Sequence, residues 1–330
     1  MKKTIKIIGV ASLIIGVLIA FGTMVAIGFD FEGLADYEEK ALNISEQFDS
    51  ISIDAESIDV VIKPSENEKC ILFTKTKNGT DVECTVQNGV LKIKETEDFS
   101  GFFSYGSNSL ILYLPRDSYH ALTINSATTD VQISQINFDL GEIKVSTGDV
   151  KIDSSINKLS LKASTGDINI NGMDGDTVSA VTSTGDIAIR NSAIGGNVIV
   201  EASTGDITVE NVDVGGDLKI KVSTGDIAMM RATAHSVSAE SSTGDMELEN
   251  VIASKEMKLK ASSGEIEFDR CDAETLSIQT SSGDVEGTIL TSKIFYAISD
   301  SGDISVPQST QGGLCRVQTE SGDIEISIRK

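Results

Sequence analysis

The chain has 330 residues, with 50 acidic side chains against 27 basic ones and a formal net charge of -23. That balance excludes a nucleic-acid partner, because phosphates reward clustered Lys and Arg, and describes a surface that repels its own kind or gathers cations. A hydrophobic share of 40% supports a core, and an internal repeat replaces the two-domain prior for this length with one stacked unit.

Residues 1–6 carry Lys2, Lys3 and Lys6 and read as a cytoplasmic tail. Residues 7–29 hold no charge and are long enough to span a hydrocarbon core of roughly 30 Å, so they read as a transmembrane anchor. A cleaved signal peptide is the rival, since Ala26 and Gly28 are small. Such segments carry apolar runs of about 7–15 residues, and this run is longer. With Asp30 and Glu32 following it, the positive-inside bias predicts a single-pass protein of the cell membrane, N-terminus cytoplasmic and everything after Phe29 extracellular. Residues 30–47 read as an acidic linker.

Residues 48–121 are expected to form a first coil and an antiparallel cap. The coil is "ISIDAESIDVVI", with Ile51, Ile53, Val60 and Ile62 inward. After it, "CILFTKTKNGTDVECTVQNGVLKI" reads as an antiparallel meander turning at Asn78-Gly79 and Asn88-Gly89. Two-residue turns place Phe73 opposite Cys84 and Cys84 opposite Ile93, and align Ile71, Val86 and Leu91. "NSLILYLP" adds a further strand. Between them Phe99, Phe102, Phe103 and Tyr105 form an aromatic cluster, read as a flap over the open end of the stack, with an exposed patch for a membrane or protein partner as the alternative.

Residues 122–330 are the repeats. The turn Ser-Thr-Gly-Asp and its variants place glycine at 148, 166, 185, 205, 225, 244, 264, 283, 302 and 322, in steps of 18 to 20. Two residues after each glycine every position is aliphatic or Met, from Val150 to Ile324. Apolar residues recur at plus four and minus five, and small ones at minus three. Each half alternates as a strand with one buried face. Across the turn the inward step is five, and an odd step inverts an unbroken strand. The motif is therefore a corner that resets the phase, with glycine free to take φ > 0. Asn191, Asn211 and Asn250 mark a second corner, and Gly195-Gly196 and Gly215-Gly216 a third. The pattern predicts an all-β fold: a parallel β-solenoid of about 19–20 residues per coil, right-handed by the rule for parallel crossovers. A degenerate coil, "ALTINSATTDVQI", precedes it with Thr129 in the glycine slot, as Ile58 occupies it in the first coil. β-branched residues avoid φ > 0, so those two corners should turn differently.

The acidic stalk, "ISIDAESIDVVI", the "LILYLPRD" strand before "LTI" and the serial "STGDI" corners together resemble the bacterial putative-adhesin β-strand-repeat domains of unknown function, over roughly Phe48 to Lys330. The resemblance implies a β-solenoid on the bacterial surface, in some members linked to envelope stress, and no catalytic residues. It implies an adhesin-like binding or scaffold protein of the cell envelope with an unknown cell-envelope or surface ligand. The alternative is an envelope-stress accessory protein acting on a membrane partner through its anchor.

No residue is assigned a catalytic, cofactor or metal role, and no enzyme is expected. The coils are uniform, and His120 and His235, the two histidines, sit in no catalytic pattern. The column Asp149, Asp167, Asp186, Asp206, Asp226, Asp245, Glu265, Asp284, Asp303 and Asp323 brings like charges to roughly 4.8 Å, where each pair repels by roughly 0.9 kcal/mol in water. Hydrogen bonding at the corner offsets this, or divalent cations do. The threonines Thr147, Thr165, Thr184, Thr204, Thr224 and Thr243 are read as corner residues rather than an ice-binding face. Cys70, Cys84, Cys271 and Cys315 are expected to form no disulfide. The assigned register puts Cys70 and Cys84 on opposite strand faces, and Cys271 and Cys315 lie too many coils apart.

Overall fold

Alternation sets the coil. In the stretch 187–204, Ile187, Ile189, Ile194, Val198, Val200 and Ala202 are buried, while Arg190, Ala193 and Ile199 between them point outward. In this computed structural model, which describes residues 37–77, 80–97 and 108–329, such coils stack as parallel strands in register. Ile187 pairs with Ile207, which pairs with Ile227, then Met246, Ile266 and Val285. Each fully buried aliphatic side chain contributes about 1.5–3 kcal/mol of transfer free energy, so these inward columns hold the stack together. The described residues form an all-β parallel solenoid with no helix.

The corners behave as the phase predicts. Nine of the turn glycines, from Gly148 to Gly322, have φ between +132° and +150°. A Cβ on Gly225 would lie 2.1 Å from the carbonyl oxygen of Gly205 in the coil beneath, so both conformation and stacking demand glycine. The second corner is left-handed at Asn191, Asn211 and Asn250, and also at Arg231 and Arg270, where no Asn marks it. The third corner needs glycine for close approach: a Cβ on Gly215 would meet Gly195 O at 2.3 Å. Thr129 and Ile58 avoid the left-handed region, as their branching requires.

The order of coils departs from the order of the chain at both ends. Ser50–Ala55 lies between Ser118–Thr128 on one side and Val90–Glu97 on the other, parallel to both. Ile58–Pro64 likewise lies between Val131–Ser134 and Asn108–Leu114. The second half of the excursion is therefore a coil of its own, stacked outside the first. At the far end, Gly313–Ser321 and Ile324–Ile328 insert between Thr275–Gln279 and Val285–Ile289 on the inner side and Lys293–Ser301 and Ile304–Ser305 on the outer. Lys293 of the outer coil runs past Gly313, its Cδ 3.7 Å from where a Cβ there would sit. It ends in a buried ion pair with Asp272, Nζ to Oδ1 2.6 Å.

Two expectations are corrected here. The meander does not form as one sheet. Thr80–Gln87 pairs antiparallel with Val90–Glu97, with Cys84 opposite Ile93 and Val86 opposite Leu91 as predicted. Cys70–Lys77 instead pairs antiparallel with Asn108–Leu114 and with Tyr37–Ile44, so Phe73 faces Ile111 and Ala41 rather than Cys84. The two strands extend different faces of the solenoid, and no two-residue turn can pair them. The turn Asn78-Gly79 lies outside the described residues, as does the aromatic cluster. The single-pass membrane location is the second correction: among the described residues no helix is long and apolar enough to cross a membrane. The tail 1–6 and the run 7–29, on which that location rested, lie outside them.

Candidate functional site

Two features were candidates for chemistry: the column of carboxylates, and the end where the repeat breaks down.

In the column, each aspartate serves the coil that follows. Asp167 N donates to Asp149 Oδ1 at 2.8 Å, Asp186 N to Asp167, Asp206 N to Asp186 and Asp226 N to Asp206 at the same distance. The pattern runs on through Asp245 to Glu265 N, and at the inserted end from Asp284 to Asp323 and from Asp323 to Asp303. A carboxylate accepting a backbone N–H is a charge-assisted bond, stronger than a neutral one, and it offsets the repulsion along the column. The residues three before the glycine complete the corner: Thr182 donates to Gly166 O, Ser241 to Gly225 O and Thr319 to Gly283 O. Glu265 breaks the pattern. Burial and then Glu286, Asp245 and Asp284 raise its pKa above the ordinary carboxylate value. Among the described residues no group of three or more His, Cys, Asp or Glu is placed to hold a metal ion.

One carboxylate escaped the sequence reading. Glu95, buried on the coil outside the first, accepts Glu56 N at 2.6 Å, Ser57 N at 2.8 Å, Ile58 N at 3.2 Å and Ser57 Oγ at 2.6 Å. It caps the corner where Ile58 stands in place of glycine, as the aspartates do elsewhere. Its position in an irregular strand hid it. The threonines stack in register from Thr128 through Thr243, and their backbone carbonyls accept the glycine N–H of the preceding coil, as Thr224 O does from Gly205 N. His120 Nδ1 lies 3.0 Å from Asp139, and His235 Nδ1 3.3 Å from Ser254, both on open lateral faces.

The end where the repeat breaks down holds a pocket of about 840 Å³. Residues 43–49, 68–70, Gly89 and the turn at Pro115 and Arg116 line it, with Tyr119 at its wall. Arg116 is the hub. Its guanidinium donates to Phe48 O, lies 3.4 Å from the Asp49 carboxylate and sits 4.3 Å above the Tyr119 ring. Tyr119 stacks on Phe48 with centroids 5.6 Å apart. The Tyr119 hydroxyl is buried, and burial pushes its pKa up against the opposing pull of Arg116 beside it. Cys70 in the same wall is pushed up to about 12 by burial, so at neutral pH it is a thiol and no nucleophile. An aromatic wall, a fixed cation and three rim carboxylates, Glu46, Asp49 and Glu68, suit recognition of a ligand rather than covalent chemistry. Sequence reading missed this site because Arg116 closes the recognised strand "LILYLPRD" as an ordinary turn residue and Tyr119 follows it outside the repeat pattern.

All four cysteines are free thiols. The opposite-face argument for Cys70 and Cys84 does not hold, since both strands turn these residues toward the core. Cys315 stacks directly on Leu276, so the inserted strand brings it one layer, rather than several coils, from the coil that holds Cys271.

The family model described as Toastrack DUF4097 matches residues 48–216 and again 210–330. No curated protein matches the sequence. Among solved structures, a putative adhesin from Bacteroides fragilis is 14% identical, covering 88% of this chain and 97% of its own, with a TM-score of 0.33. A putative adhesin from Parabacteroides distasonis is 13% identical over 88% and 97%, with a TM-score of 0.36. A putative lipid binding protein from the same organism is 15% identical over 86% and 97%, with a TM-score of 0.32.

Proposed function

The chain belongs to the Toastrack DUF4097 family, and from that premise we propose that it is an adhesin-like binding protein that recognises a surface ligand without catalysis. In this reading the block 48–121 carries recognition and the repeats 122–330 are a rigid spacer. The observation that carries it is the Arg116–Tyr119 pocket, built where the repeat is irregular, beside coils that are uniform along their length. Three interactions fix the guanidinium before any ligand arrives, which lowers the ordering cost of binding. The cysteine in the wall is protonated and the histidines face away on open strands, which supports binding over reaction.

The test is retention of fractionated cell-envelope material by the immobilised full chain. Arg116→Ala and the exposed rim change Lys69→Glu should each lower retention of the bound component at least tenfold, with Ile199→Ser on a lateral face as control. Equal retention by all four proteins, each with a native melting curve, overturns the pocket as the binding site.

A further inference from the structure

The outermost layer at the far end is held differently from the others. Its strands Lys293–Ser301 and Ile304–Ser305 rest on the inserted strands, which rest in turn on Thr275–Gln279 and Val285–Ile289. Burial falls away through these three layers. Leu276 and Ile278 are 2% and 1% exposed, and Cys315 and Val317 above them 0%. Phe295 and Ala297, the next in those columns, are half-buried, and Ile304 is 45% exposed. Exposed residues 290–292 lead into the layer, and 306–312 lead out of it. Packing therefore holds it weakly, and one side chain makes up the difference. Lys293 passes the inserted strand and donates to Asp272 Oδ1 at 2.6 Å and to Thr291 Oγ1. The pair is buried. Asp272 belongs to the body, where its backbone bonds to Val251 and Ala253.

We infer that residues 293–305 are a lid on the inserted strands, hinged at 290–292 and 306–312 and latched to the body by the Lys293–Asp272 pair. In a stack of repeats each layer is stabilised by its neighbours, so an end layer can open while the rest stays folded. Opening parts the bonds across the upper seam, Gly322 N to Ser301 O and Ile324 N to Asp303 O. It returns both charges of the latch to water and uncovers Cys315, Val317 and Ile324. The lower seam stays closed, through Gly283 N to Ser321 O and Val285 N to Asp323 O. The latch sets how often the lid opens, because removing one partner leaves the other's charge buried and unpaired in the closed form.

Thiol labelling and native-state amide exchange of the full chain test this. Burial holds Cys315 and Cys271 at about 12, so each reacts from an opened form. Cys271 lies beneath Ile289 in the body. Read peptide by peptide, Cys315 should react at least tenfold faster than Cys271. The amides of Gly322 and Ile324 should exchange before those of Gly283 and Val285. Lys293→Met should speed Cys315 at least tenfold, and adding Asp272→Asn should reverse most of that. Gly225→Ala weakens the body alone and should leave Cys315 within twofold of wild type. If Gly225→Ala speeds Cys315 as much as Lys293→Met does, the end opens only with the whole chain and there is no lid. A Cys315 rate that Lys293→Met leaves unmoved removes the latch. Gly283 and Val285 exchanging as fast as Ile324 would mean that the inserted strands leave too, which also overturns the proposal. The amide order is read on the wild type, so it decides even where a variant fails to fold.

Discussion

Replacing Gly225 with Ala should destabilise the solenoid by about 3–5 kcal/mol. Gly225 has φ +142°, a region open essentially to glycine, and holding another residue there costs about 1–3 kcal/mol. The new Cβ would also lie 2.1 Å from Gly205 O and 2.7 Å from Gly205 C. That overlap is with backbone, so no side chain can swing aside. The coils must separate by more than an ångström at the corner. The bonds that cross it there, Gly205 N to Thr224 O at 3.0 Å and Ile207 N to Asp226 O at 2.9 Å, are then lost, at about 1 kcal/mol each. Thr224→Val is the control, because Thr224 is exposed and valine keeps its shape. It should stay within about 0.5 kcal/mol of wild type. Urea unfolding gives both values, and amide exchange should show protection falling first at residues 205–207 and 224–227. If Gly225→Ala costs no more than Thr224→Val, the glycine is not the corner that sets the phase.

Three further expectations follow from the interior and the carboxylate column. Asp206→Asn keeps an oxygen for Asp226 N and should melt close to wild type, whereas Asp206→Ala should melt lower; chelator should move neither, and a calcium-reversible loss of stability would mean the column holds cations. Lys293→Met leaves Asp272 buried without its cation and should cost about 3–5 kcal/mol, with Lys293→Met/Asp272→Asn recovering most of it in urea titrations. Burial holds Cys271 and Cys315 at about 12 against an ordinary 9.0, so the folded chain keeps these protons longer than the unfolded one. Their contribution is complete below about pH 9 and is lost as pH rises toward 12. Cys271→Val should flatten the fall in the urea midpoint across that range, and an unchanged slope would contradict the burial.

The sequence was most legible where one residue type does one job. Glycine at the corner and aliphatics two and four residues later give the phase, because conformation and burial both constrain them. The aspartates were legible as a column, and their N–H partners followed from the corner geometry. The identity of neighbouring coils was not legible. Ile304 and Ile324 stand at the same position of successive repeats, and periodicity says which way each faces but not which layer each occupies. The pairing of Cys70–Lys77 failed for a related reason: two alternating segments joined by Asn-Gly resemble a hairpin whether or not they share a sheet. Arg116, Tyr119 and Glu95 carried no signal, since each acts through partners far away in the chain. Arg231 and Arg270 show that the second corner tolerates residues other than Asn when the stack imposes the turn.

The inserted strand at the far end also makes the stack a matter of timing. Inner coils can add one by one as the chain leaves the ribosome, each finding its floor already laid. Residues 293–305 cannot, because their floor is residues 313–328, which are made after them. This segment must wait, with Phe295 and Ala297 unpacked, until the last strands slide in beneath it and Lys293 reaches Asp272. A chain stopped before Gly313 would therefore lose two layers rather than one, and the segment left behind would be the most apolar piece of that end.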